Sequence, residues 1–395
     1  MKPFSNSPEY RSDVLTSFGA TAPETEELLL YNKNVFVHNS GQDVIFPLPD
    51  ELFVAAWEGY AAESAAKGVY EVLKNRLIQF KFPIKEGISQ SDSYQAATRR
   101  LGLAEEMPEA TGLALERTDR LELSLHRTLA GRIPILLTRH REDFITLVRA
   151  LTGKNEPVSV PQAMGAIMVA GYNNWDRIFT YRKQWEAANP ESCSEECWKE
   201  EFRRIIPQKG LYQDRFMILS DGAYSAVSAR ELGFSEEEWR SKSLIIRREH
   251  ECAHYFTRRL FSSMRSNMMD ELMADYMGIV AAAGHYKSHW FLRFVGLENF
   301  PDYRQGGRLQ NYRGNPPLTD GSFRVLQSLL KSASENLESF DLENSESIRG
   351  QVGKTWMLMA LAQLTLEELA SRDADYFLHL ALNNVRYRYG INDTA

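Results

Sequence analysis

Apolar residues recur at three- and four-residue intervals through DELFVAAWEGYAAESAAKGVYEVLKNRLIQF, residues 50–80, and this spacing predicts a helix with Asp50 as its N-cap. Pro83 marks the latest point at which that helix can stop. SDSYQAATRRLGLAEEM and LLTRHREDFITLVRALTG carry the same period, the second closing at Gly153, and NEPVSVP follows as a linker. PQAMGAIMVAGYNNWDRIFTYRKQWEAANP joins a run of small residues to an aromatic helix. The pattern then changes. Residues 216–220, FMILS, form a β-prone run punctuated by Asp221-Gly222, which predicts a strand and a turn. Nearer the N-terminus, Asn39-Ser40-Gly41-Gln42 separates two β-prone runs and predicts a small hairpin.

Helical periodicity returns in SEEEWRSKSLIIRREHECAHYFTRRLF, where Ser235 and Glu238 make a capping box, and in NMMDELMADYMGIVAAAG, which closes at Gly284. A loop rich in Gly, Pro, Arg and Asn over 300–320 leads to helices near 322–340, 348–370 and 371–387. No internal repeat is visible. The fold class expected is α+β and predominantly α-helical, with a small sheet, and not a doubly wound sheet. Three consecutive segments are expected: a mostly helical region 1–154, a core over 155–300 and a helical region 301–395.

Hydrophobic residues are 43% of the chain and charged residues 25%, as in an ordinary globular protein. The net charge of −7 argues against a nucleic-acid partner, which calls for a basic excess. Pairs such as Arg247-Arg248 and Arg258-Arg259 are flanked by acids or apolar residues and suit solvated helix faces. No run approaches the ~18 apolar residues of a membrane span, and the N-terminus has no signal-peptide core. Three cysteines, Cys193, Cys197 and Cys252, suggest a reducing compartment, so the expected location is the cytoplasm. Cys193 and Cys197 are separated by three residues with no partner pair downstream, which makes a poor metal hook.

The chemistry concentrates at His250-Glu251-Cys252-Ala253-His254. Residues four apart lie one above the other on a helix, so both imidazoles reach one cation, and the glutamate beside them is placed to deprotonate a water. Apolar neighbours Leu244 to Ile246 and Tyr255, Phe256 and Leu260 predict burial, and buried histidines beside a glutamate call for a compensating charge. Glu271 and Asp275, again i and i+4, share a face of the next helix. Glu271 is the expected third ligand, with Asp270 and Asp275 as the alternatives. Asp275 is expected to orient a ligand histidine through its far nitrogen.

His250-Glu251-x-x-His254 followed by Glu271-x-x-Ala274-Asp275-x-x-Gly278 resembles the gluzincin type of zincin metallopeptidases over about residues 245–283. The resemblance implies a zincin-like catalytic core. It assigns Zn²⁺ to His250, His254 and Glu271, general-base work to Glu251, and an orienting role to Asp275. It also implies a peptide or related amide as substrate. A metal-dependent hydrolase acting through an activated water is therefore the expected function. Two rivals remain. Two histidines and a carboxylate also form the Fe²⁺ site of non-haem, peptide-modifying oxygenases. A binding protein with a structural metal is the other, although structural sites usually carry four ligands and more cysteine.

In zincins an edge strand before the active-site helix pairs with substrate, and FMILSDGAYSAV stands in that position, as either an edge strand or an internal one. His285, Tyr286 and His289 are candidate oxyanion donors. YNNWDR (172–177) and LQNYRGNPP (309–317) are candidate pocket linings. No nucleophile elbow, Walker A loop or dinucleotide fingerprint occurs.

Overall fold

The computed structural model describes residues 7–36, 44–99, 107–190, 194–264 and 267–389. The hairpin expected around residues 39–42, and Cys193, lie outside them. The chain divides into two compact units. One is continuous, Pro49–Gly222; the other is assembled from both ends, Met1–Leu48 and Ala223–Ala395. Sequence analysis expects three consecutive segments, because local periodicity carries no sign of pairings made across hundreds of residues.

The assembled unit begins with α1 (Pro8–Ser17) and α2 (Ala22–Tyr31), each with proline in its first turn, where a missing N–H costs nothing. Arg11 of α1 makes a two-bond ion pair with Glu367 at 3.2 Å, and Asn32 donates to the same carboxylate at 2.9 Å. Both partners of the pair are buried, which ties the first helices to the far end of the chain.

In the continuous unit the stretch predicted as one helix from residue 50 is two, α3 (Val54–Lys67) and α4 (Val69–Arg76), broken at Gly68, whose φ is +82°. Asp50 does not cap. It is drawn to Arg132, whose Nε donates to its carboxylate at 2.7 Å. α5 (Asp92–Arg99) follows. Next comes the hairpin of β1 (Leu121–Thr128) and β2 (Gly131–Thr138), then α6 (Arg141–Leu151), β3 (Ala166–Asn173), α7 (Trp175–Ala188), α8 (Glu195–Ile205) and β4 (Gln213–Ser220). The strands form one sheet in the order β1-β2-β4-β3, with β2 and β4 parallel and the other two pairings antiparallel.

β4 is therefore an internal strand, which answers the question left open by its sequence. Phe216 to Ser220 are buried without alternation, as befits a strand flanked by two others. One face of the sheet, through Leu136, Phe216 and Ile218, packs on Trp57, Phe144 and Leu147 of α3 and α6. A second core joins Trp175 and Ile178 of α7 to Trp198 of α8 and Tyr94 of α5.

The chain then re-enters the first unit through α9 (Ala229–Leu232), α10 (Glu236–Phe261), α11 (Met268–Ala283), α12 (Ser288–Val295), α13 (Asp320–Glu343), α14 (Gly350–Leu361), α15 (Leu366–Ala370) and α16 (Ala374–Tyr389). The result is α+β and predominantly helical, as the sequence pattern implies. No helix among the described residues is long and apolar enough to cross a membrane.

Candidate metal centre

α10 starts where the capping box places it: Ser235 Oγ accepts the Glu238 amide and Glu238 returns to the Ser235 amide. Three glutamates fill its first turn and Arg258 and Arg259 its last, each favourable to the helix dipole. Its buried stripe runs through Trp239, Ser243, Ile246, His250, His254, Thr257 and Phe261, spacings of three and four. Both histidines thus sit on the face that packs inward.

Ser262 leaves α10 in the left-handed region (φ 54°), and Asn267, whose side chain accepts the Asp270 amide at 3.1 Å, starts α11. α11 lies directly on α10. Gly278 makes the approach possible: a Cβ there would stand 2.7 Å from the Ile246 carbonyl oxygen. One and two turns earlier on α11 are Asp275 and Glu271, facing the histidines.

The three ligand atoms converge. His250 Nε2 and His254 Nε2 are 3.1 Å apart, and the Glu271 oxygens lie 3.5 Å from each. His250, His254 and Glu271 together form a buried group whose donor atoms all fall within 4.8 Å of one another. Donors held tetrahedrally at about 2.0–2.1 Å from one zinc ion are about 3.3 Å apart, so the observed spacings bracket the fit. Glu271 Oε2 has no hydrogen-bond partner among the described residues, although it is buried.

Each outer ring nitrogen faces a carboxylate. His250 Nδ1 is 2.8 Å from Asp275 Oδ1, and the Tyr224 hydroxyl, 2.9 Å from that nitrogen, donates to the same oxygen at 2.6 Å. His254 Nδ1 is 3.3 Å from Asp270 Oδ2, an ion-pair approach not aligned well enough for a hydrogen bond. Carboxylates at both Nδ1 atoms favour the Nδ1–H tautomers, which leaves two Nε2 lone pairs and a carboxylate facing one point. Such an arrangement wants a positive charge. His254 accordingly has its pKa raised well above the usual value: burial opposes this, but Asp270 and Glu271 outweigh it. Burial would likewise raise Glu271, yet His254, His250 and Arg308 hold its carboxyl well below the ordinary range.

Asp275 is supported from a distance in sequence. Arg308, in the turn Arg308–Tyr312, pairs with Asp275 Oδ2 and donates to the Tyr224 hydroxyl at 2.8 Å. Against the burial that would raise it, Arg308 and His250 keep Asp275 below its ordinary value. Tyr224 is held by Phe294, edge-on at 4.8 Å, and its amide donates to Ser243 Oγ at 3.0 Å. Ser225 and Ala226 follow it at φ 51° and 58°, a strained pair beside the centre. Arg247, expected on a solvated face, is instead buried under this loop, donating to the Ala223 carbonyl at 3.2 Å. The Tyr312 phenol, its pKa raised by burial and by the Glu271 charge, is a neutral donor beside that carboxylate.

Glu251 follows His250 on α10, half-buried, and takes no hydrogen bond or ion pair among the described residues. The structure thus brings His250, His254, Glu271 and Asp275 together as their spacing implies, and it gives Asp270 the place behind His254. Sequence reasoning missed Arg308 and Tyr224, which carry no motif. Arg308 stood one residue ahead of a cluster noted for its polarity, and only its charge amid a turn-rich loop was visible. Of the oxyanion candidates, His285 and His289 make no hydrogen bond or ion pair with the cluster among the described residues. Tyr286 is buried against Tyr276 at 5.4 Å, with its hydroxyl unpartnered among the described residues. In YNNWDR, Asn174 and Arg177 serve structure by bonding buried Asp214 at 2.6 and 2.5 Å, while Tyr172, Asn173 and Trp175 do line a cavity.

Fold and site together define a helical α+β protein with a buried His/His/Glu cluster of metal-ligand geometry. A family model described as "Family of unknown function (DUF7005)" matches residues 13–373, and the chain belongs to that family. No curated protein and no solved structure matches it.

Proposed function

We propose that the α10–α11 pair carries the zinc centre of a metallohydrolase acting on a peptide or related amide. The observation that supports this most is the convergence of two imidazole Nε2 atoms and a Glu271 oxygen unpartnered among the described residues, at 3.1–3.5 Å, with carboxylates behind both rings. Zinc held there supplies Lewis-acid polarisation and an acidified water. His250, His254 and Glu271 are the ligands. Asp275 fixes the His250 tautomer through its hydrogen bond, Asp270 places its negative charge beside His254 Nδ1, and Arg308 with Tyr224 fixes Asp275. Glu251, with no hydrogen-bond or ion-pair partner among the described residues, takes the proton from water and returns it to the leaving amine. The peptide substrate rests on the resemblance of the two half-motifs to gluzincins. The sparse cysteines favour a reducing compartment, the cytoplasm.

Metal analysis of protein purified without added metal tests the reading. One zinc per chain is expected, falling sharply in His250→Ala, His254→Ala and Glu271→Ala. Glu251→Gln should keep the zinc and lose hydrolysis of a peptide library. Iron with oxygen-dependent turnover would replace the hydrolase with an oxygenase, and the absence of any bound metal would end both.

A further inference from the structure

Within the continuous unit a groove of about 590 Å³ runs beside the sheet. Every residue from 167 to 173 borders it, those of both pleat faces alike, as happens only along a strand's open edge. β3 is that edge. Its outward groups can be assigned from the ladder. The Ser220 amide donates to the Gly165 carbonyl at 2.8 Å, so in the register Ala166↔Leu219 the hydrogen-bonded pairs are 165/220, 167/218 and 169/216. The amides and carbonyls of Ala166, Met168 and Ala170 therefore point away from β4, and none has a partner among the described residues. A bulge between Ala170 and Tyr172, with Gly171 at φ +81°, ends the open stretch after five residues.

The two charged side chains in the described lining of this groove are both cationic. Arg99 and Lys154 line the groove, both are exposed, and neither has an ion-pair partner among the described residues. Among the described residues no carboxylate lines it, in a chain whose net charge is −7. The opposite wall is firm. Tyr94 donates to buried Asn155 at 3.2 Å, and Asn155 donates to the carbonyls of Gln79 and Phe82 at 2.9 Å each.

We propose that the β3 groove binds an acidic, extended peptide segment of a partner protein as a fifth strand. Its backbone completes the ladder at Ala166, Met168 and Ala170, and its carboxylates meet Arg99 and Lys154. Main-chain pairing holds the peptide, and the two cations select its charge. The groove belongs wholly to residues 49–222 and does not depend on the metal centre.

The test uses the full chain and two fluorescein-labelled, capped hexapeptides, one alternating valine and glutamate, the other valine and lysine. Anisotropy titrations should show the glutamate peptide binding roughly tenfold or more tightly, the yield of two surface charge pairs. Hydrogen exchange should slow over 166–170 and stay unchanged over 213–220. Arg99→Glu with Lys154→Glu, both at exposed positions, should reverse the preference, while His250→Ala should leave it intact. Equal affinity for the two peptides, no binding of either, or protection elsewhere than 166–170 would overturn the proposal.

Discussion

Gly278→Ala sets two opposing effects against each other. Ordinarily the change favours a helix interior, by about 1 kcal/mol. Here the new Cβ would lie 2.7 Å from the Ile246 carbonyl oxygen and 3.0 Å from Ile246 Cγ2, whereas comfortable contact begins near about 3.5 Å. The atom it meets is backbone in the middle of α10, one turn before His250, so no side chain can swing aside. The helices must separate locally by about 0.8 Å, and overpacking of this kind costs typically about 1–3 kcal/mol. The net expectation is destabilisation by about 1 kcal/mol, or roughly 2–4 °C in melting temperature. Because Glu271 stands on α11 and both histidines on α10, the separation should also weaken zinc binding. Thermal melts with and without zinc, together with competition against a chromogenic chelator, read both effects. A variant as stable as the parent, or more so, with unchanged zinc affinity would refute the close-approach argument. Gly278→Val, which adds bulk in the same direction, should fall further on both scales.

Arg308→Ala should lower zinc affinity about 10–100-fold, the usual cost of removing support behind a ligand, with Arg308→Lys recovering part of it; an unchanged affinity would show that Asp275 needs no such anchor. Arg11→Ala leaves Glu367 buried without its cation and should cost about 3–5 kcal/mol in urea unfolding, against which a loss under 1 kcal/mol would count. Glu156 accepts amides of Ser89 and Gly87 at 2.8 Å, and these bonds, those from Ser89 foremost, hold its pKa below the ordinary value. A folded pKa below the unfolded one gives stability that is present above the unfolded value, near about 4.3, and lost as pH falls through the folded one. The stability difference between the parent and Glu156→Gln should therefore shrink on acidification below about pH 5, and a difference constant with pH would exclude the linkage.

What could be read in advance was what short-range spacing encodes. The capping box at Ser235, the closing Gly284, the strand at 216–220 and the i, i+4 faces of His250/His254 and Glu271/Asp275 are properties of single elements, and the structure has each. Long-range relations were not legible. β2 and β3 were hidden because Ala, Gly and Pro dilute their β signal, β1 because its apolar positions are leucines, which favour helix, and residues 136–138 merged by period into the helix behind them. The break at Gly68 was lost in a stretch whose apolar spacing continues across it. Arg308 reaches Asp275 from 33 residues away, a relation that only the folded chain displays.

The ion pair between Arg11 and Glu367 also sets a timetable. Its partners are 356 positions apart, so at synthesis rates of about 5–20 residues per second α1 has been exposed for roughly 20–70 s when α15 emerges. The continuous unit, residues 49–222, can close within that interval from contacts already made. α1 and α2 cannot. Through most of that interval Arg11 has no Glu367 to receive it, and two ten-residue segments are too short to hold helical structure by themselves. α1 and α2 thus wait for partners made about 350 residues later, and chaperones must shield them until α15 is supplied.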